Sequence, residues 1–262
     1  RCGNGAILMQ IIRYDGSFYG LISALVPFLK QRRLPDAVER ENQQQPLLAI
    51  AEAEIESKST AISVAGTNLH DAELFRIPGI SRETWQNAWY AFLSEEKNIE
   101  LRLARYLLLA LEKRGTVDAY QADERVRSIH RLARQVGVER HRFMGLLRFR
   151  SIGANLYYAS ISSDTFVLPV LAPFFVRRFA GQQWIIHDRR RELAAVYNLK
   201  TWTIIERKSA DIPPDASEEG PAQHLWQCFF DSIAVRERLN LALQQKCIPK
   251  KYWHDLIEKP GR

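Results

Sequence analysis

Two short segments of this chain place an acid beside a group that could share a proton with it. Tyr14-Asp15-Gly16-Ser17 sets a carboxylate two residues from a hydroxyl, and His187-Asp188 sets an imidazole next to a carboxylate, followed by Arg189, Arg190 and Arg191. Acid–base chemistry needs such groups to converge on one point in space. Asp15, His187 and Asp188 are therefore the candidate catalytic residues, and each also has a purely structural explanation. Asp-Gly favours a turn and Ser a helix cap. Neighbouring residues of a strand point to opposite faces, so His187 and Asp188 need not meet, and Asp188 suits the start of a turn. No glycine-rich phosphate loop, Gly-x-Ser-x-Gly elbow or metal-ligand spacing accompanies them. The expectation is a protein without a cofactor or metal, and a binder rather than an enzyme.

A stronger signal is electrostatic. Between Arg125 and Arg191 lie thirteen arginines, no lysine and three acids, a formal +10 against +7 for all 262 residues. The basicity is thus local, which suits an extended polyanion. Arginine adds a planar fork matched to phosphate and able to stack on bases. Arg140, His141, Arg142, Arg148, Arg150, Arg177, Arg178, Arg189, Arg190 and Arg191 are the candidate nucleic-acid-binding residues. An arginine-rich surface serving solubility is the alternative. Tyr157, Tyr158, Trp184 and Tyr197 are candidate stacking platforms, or core.

Those residues need elements to hold them. Gln10–Tyr14 reads as a strand, and Ser17 as the cap of a helix carrying Phe18, Leu21, Ile22, Leu25, Phe28 and Leu29. Residues 32–45 read as a loop, 46–57 as a helix, 60–64 as a strand, and Pro78-Gly79 as a turn. Ser94 is expected to cap a helix that ends at Lys113-Arg114-Gly115, and Asp123–Val136 forms another. Phe143–Phe149 and Leu156–Ile161 read as one hairpin, with Arg148 and Arg150 on one face. Leu168–Phe179 reads as a helix, and Trp184–His187 with Leu193–Tyr197 as a second hairpin, extended by Thr201–Ile205. An acidic linker over 210–220 precedes a long C-terminal helix from Pro221 to about Gln245. The order indicates an α+β fold with a mainly antiparallel sheet from two hairpins and surrounding helices. The expected organisation is one domain over residues 9–257, with a helical half (9–136) and a β-rich half (139–257). Residues 1–8 are expected to be upstream sequence.

Hydrophobic residues make up 46% of the chain and charged ones 26%, the balance of a globular protein with a substantial core. Phe166–Val176, its longest apolar stretch, falls short of the roughly 20 residues that span a bilayer. The three cysteines, Cys2, Cys228 and Cys247, carry no pairing pattern. A cytoplasmic location without membrane contact is the expectation.

The same segments carry a resemblance. Tyr14-Asp-Gly-Ser-Phe18, Ala91-Phe-Leu-Ser-Glu95, His141-Arg-Phe-Met-Gly-Leu-Leu-Arg-Phe149, Leu156-Tyr-Tyr158, Leu168-Pro169, Trp184-Ile-Ile-His-Asp188, Ala194-Ala-Val-Tyr197, Leu225-Trp226, Ile233-Ala234, Arg236-Glu-Arg238 and Pro249-Lys-Lys-Tyr-Trp253 stand in order. The chain resembles the bacterial "probable DNA metabolism" proteins, a family of unassigned activity. Their genes accompany a DNA-repair radical S-adenosylmethionine protein, and a similar domain precedes uracil-DNA glycosylase-like domains. The resemblance implies DNA as ligand and that radical S-adenosylmethionine protein as partner. Three functions stay open: an accessory nucleic-acid binder, a DNA-base-processing enzyme with its site near Asp15 and His187, or a protein–protein adaptor without DNA contact.

Overall fold

The computed structural model describes residues 10–41, 77–153, 155–207 and 248–255. The expected helix over 46–57, strand over 60–64, linker over 210–220, long C-terminal helix and all three cysteines lie outside the described residues. The chain divides into two compact units, Arg1–Gly137 and Val138–Arg262. Helices and two sheets combine in an α+β arrangement. No described helix is long and apolar enough to cross a membrane.

In the first unit, β1 (Ile11–Tyr14) leads into α1 (Phe18–Lys30). The Ser17 hydroxyl accepts the Gly20 N–H at 2.9 Å, capping a helix that buries Phe18, Leu21, Ile22, Leu25 and Leu29. The next element corrects the expected loop. Ala37–Arg40 is a strand, β2, parallel to β1, and α1 is the crossover. Four residues are too few for alternation to show. Long-range partners hold the strand instead: Arg40 Nε donates to Glu100 Oε1 at 2.8 Å, and Tyr14 Oη donates to the same oxygen at 2.7 Å.

A helix outside the expected elements follows, α2 (Arg82–Phe92), capped by Ser81 and burying Trp85, Ala88, Trp89, Ala91 and Phe92. α3 spans Ile99–Glu112 and begins later than expected. Ser94 does not cap it. The Ser94 hydroxyl closes the end of α2 by donating to Ala91 O at 2.6 Å, and Glu95 and Asn98, both at positive φ, reverse the chain. After a 3-10 turn at Val117–Ala119 comes α4, Glu124–Leu146. It does not stop at Gly137, and Phe143–Leu146 is helix rather than strand. Val136, Glu139 and Phe143 continue the buried face, but a carboxylate in that stripe breaks the apolar pattern.

The second unit holds a five-stranded sheet in the order β3 (Arg150–Gly153), β4 (Leu156–Ile161), β5 (Gln183–Asp188), β6 (Leu193–Tyr197) and β7 (Trp202–Glu206). All neighbours are antiparallel except β4 and β5, which run parallel and are joined through α5 (Leu168–Arg178). α5 lies against β5, β6 and β7. Phe175 meets Trp184 there, and Trp184 meets Tyr197 with ring centroids 5.4 Å apart. Tyr158, Ile185 and Ala194 form the opposite face of the sheet. The buried Glu139 carboxylate ties α4 to the loop ahead of α5, accepting from Thr165 Oγ1 at 2.7 Å, from the Asp164 and Thr165 amides at 3.1 Å, and from Tyr252 Oη at 3.2 Å. These bonds supply the partners a buried carboxylate requires.

Candidate functional site

Asp15 sits in a turn. Its Oδ1 accepts the Ser17 amide at 2.9 Å and the Ser17 hydroxyl at 2.7 Å. A Cβ on Gly20 would lie 2.0 Å from that oxygen, so the following turn of helix must carry glycine to leave the carboxylate in place. These contacts make Asp15 a local anchor for β1 and α1.

His187 and Asp188 are both fully buried and lie on opposite faces of the sheet, as alternation along β5 requires. His187 Nδ1 is 2.8 Å from Tyr158 Oη. Burial holds its imidazole below the usual histidine range, and the charges of Arg207 and Arg189 act in the same direction. Burial raises the Asp188 carboxyl, opposed by Arg191, whose Nη1 is 2.8 Å from Oδ2. The two side chains do not form a dyad.

The ten candidate nucleic-acid contacts all lie in the second unit, and the fold uses several of them internally. Arg140 Nε donates to Val170 O at 2.7 Å, and Arg191 reaches Asp188, Ser163 O and Asp164 O. Arg142 lies over the Tyr252 ring and Arg150 over the Tyr158 ring, 4.9 Å from its centroid. Arg148 donates to Gly145 O, and Arg189 to Ser162 Oγ. Arg190 pairs with Asp164 in the open. His141, Arg177 and Arg178 are exposed, the last two at the C-terminal end of α5, where the helix dipole favours cations. Tyr158, Trp184 and Tyr197 are core, while Tyr157 is half-buried.

A different constellation converges in the first unit. Asp118, on the 3-10 turn, is buried and accepts four donors: Thr84 Oγ1 at 2.7 Å, Asn87 Nδ2 at 3.0 Å, the Tyr106 hydroxyl, and His130 Nε2 at 2.7 Å. Burial alone would raise its carboxyl; the donors outweigh this and hold it below the usual carboxylate range. Tyr106, buried against that carboxylate, is pushed well above the normal phenol range. Nε2 of His130 faces Asp118, so a neutral ring donates from Nε2 and carries its acceptor at Nδ1, whereas a protonated ring donates from both nitrogens.

His130 lies on the wall of a cleft of about 650 Å³ between α2 and the first half of α4. Asn87, Tyr90 and Gln121 line it together with Arg127, Arg131 and Arg134. These arginines are exposed and recur at i, i+4 and i+7, so they share one face of the helix. Arg127 pairs with Glu124; Arg131 and Arg134 have no carboxylate partner among the described residues. The geometry can hold an anion and offer a fixed imidazole beside it.

None of Thr84, Asn87, Tyr106, Asp118 and His130 was singled out by the sequence reading, because their spacing fits no motif. One signal was present: Trp85, Ala88, Trp89 and Phe92 repeat at helical spacing after Ser81, which locates α2 and with it Thr84 and Asn87. Among the described residues, no group of three or more His, Cys, Asp and Glu side chains is placed to hold a metal ion.

Residues 97–258, more than half of the chain, match a family described as a domain of unknown function, DUF4130. No curated protein and no solved structure matches.

Proposed function

The chain belongs to this family of domains of unknown function, DUF4130, and we propose that it is a nucleic-acid-binding protein of bacterial DNA metabolism. The observation that carries this reading is the arginine row Arg127, Arg131 and Arg134 along the exposed face of α4, at the edge of a cleft. An α-helix rises about 1.5 Å per residue, so the row sets three cations over roughly 10 Å, a spacing for successive phosphates rather than one small anion. The resemblance to DNA-metabolism proteins supports the same ligand. It also motivates the partner, a radical S-adenosylmethionine repair protein that performs the chemistry while this chain holds the DNA.

Titration of a labelled oligonucleotide at rising salt tests the reading. Released counterions should make affinity fall steeply between about 50 and 200 mM salt. Replacing Arg127, Arg131 and Arg134 together by Gln should weaken binding and flatten that slope. A slope near zero for the unaltered protein overturns the reading.

The Asp118–His130 pair favours a second reading, a base- or phosphodiester-processing enzyme with His130 as its general base. Product formed from damaged oligonucleotides by the wild type, and lost in His130→Gln, would select it over the accessory role.

A further inference from the structure

We infer that the cleft between α2 and α4 receives one unpaired nucleotide of a single strand, so that the protein prefers single-stranded or locally opened nucleic acid over closed duplex. The inference rests on the nucleic-acid reading above and specifies what enters the site. Size comes first. A cleft of about 650 Å³ is of the class that encloses one small ligand, whereas duplex recognition uses a helix or strand inserted into a groove about 12 Å wide. A base must therefore leave its stack to enter.

The lining supplies each contact such a nucleotide needs. Tyr90 is half-buried on the wall with Gly137 facing its ring, and no side chain from that position stands between the ring and an incoming base. Every base has a π-face that such a ring can stack against. Asn87 and Gln121 offer amides for base edges, and Asn87 is already oriented by Asp118. The Asp118 bond holds the His130 ring through Nε2, and in the neutral ring Nδ1 is the acceptor, suited to an exocyclic amine, an imide N–H or a sugar hydroxyl. Arg131 and Arg134 stand ready for the phosphates flanking that nucleotide. Glu83 is the one acid in the lining, against three arginines, so the cleft as a whole favours an anion.

Anisotropy titrations with the full chain test this, using one 12-nucleotide sequence as a single strand and as a closed hairpin duplex. The single strand should bind more tightly. Tyr90→Leu should lower single-strand affinity roughly tenfold through the lost stacking platform. Tyr90→Phe should retain it, and duplex affinity should move in neither variant. Gly137→Leu fills the cleft while every arginine is kept, and should reproduce the Tyr90→Leu loss; its melting temperature serves as the folding control.

Wild-type single-strand affinity in both Tyr90→Leu and Gly137→Leu, alongside loss in Arg131→Gln/Arg134→Gln, would overturn the cleft inference and leave the cationic-surface reading standing. Equal affinity for strand and duplex would also overturn the inference alone. Displacement by a free mononucleotide as effective as by the strand would make the ligand a nucleotide rather than a polymer, again overturning it. No binding to either form at low salt would remove both.

Discussion

Replacing Asp118 by Ala removes one acceptor from four donors. Tyr106 and Thr84 are fully buried: both hydroxyls lose the bond to Asp118 with no access to water, although Thr84 Oγ1 keeps Ser81 Oγ at 2.8 Å, while Asn87 and His130 are half-buried and can turn to solvent. A hydrogen bond to a charged group is worth about 1.5–3 kcal/mol, and a buried donor left unpaired costs about 1–3 kcal/mol. The two buried bonds lost, at about 1.5–3 kcal/mol each, give a destabilisation of about 3–6 kcal/mol for Asp118→Ala, toward the lower end because Thr84 keeps Ser81. Asp118→Asn keeps Oδ1 as acceptor and forces only the rotatable Thr84 hydroxyl to change role, so it should cost about 1–2 kcal/mol. The same carboxyl titrates lower in the folded chain than in the unfolded one. Its stabilisation is therefore present above the unfolded pKa, about 4, and is lost as pH falls through the lower folded value. Urea titration followed by circular dichroism, fitted to separate transitions for the two units, measures the cost. Asp118→Ala within about 0.5 kcal/mol of wild type, or below the cost of Asp118→Asn, would refute the account of Asp118 as the hub of this network.

Two neighbouring arginines should behave oppositely. Arg191 pairs with Asp188 at side-chain exposures of 11% and 0%, so Arg191→Ala removes the buried carboxylate's charge partner, leaves it backbone N–H donors, and should cost about 3 kcal/mol. Arg190 pairs with Asp164 at 60% and 52%, and Arg190→Ala should change stability by less than about 1 kcal/mol; equal effects in denaturant titration would contradict the burial argument. Gly137→Ala should raise stability by about 0.5–1 kcal/mol, since it removes a glycine from a helix interior. Its new Cβ would meet Tyr90 at an ordinary 3.8 Å, and a lowered melting temperature would show a clash that these distances do not.

Helical and strand periods were legible wherever one face is uniformly apolar. The stripe of α1 is of this kind, and the short apolar runs of β4, β5 and β6 locate those strands, the β5–β6 hairpin and the opposed faces of His187 and Asp188. The first hairpin instead uses Arg150–Gly153 in place of Phe143–Phe149, and the parallel β4–β5 pair departs from a sheet made of two hairpins. The reading failed where a buried polar group stands in the stripe. Glu139 interrupts the inward face of α4, so the apolar pattern ends at Val136, ten residues before the helix itself ends at Leu146. β2 failed for a different reason: four residues pair with β1 through backbone bonds that any side chains permit.

Charge was also legible, but its use was not. A count of arginines cannot separate Arg191, spent on Asp188 and two carbonyls, from Arg131 and Arg134, which meet no described carboxylate. By itself the sequence determined what short-range periodicity and composition determine: the α+β order of elements, the caps at Ser17 and the stop at Gly115, and a cationic stretch running from α4 to the β5–β6 turn. Only the tertiary structure decided that Thr84, Asn87, Tyr106 and His130 meet on Asp118. Those five side chains come from α2, α3, α4 and the turn before α4, and the distance between them is set by how helices pack rather than by their separation along the chain.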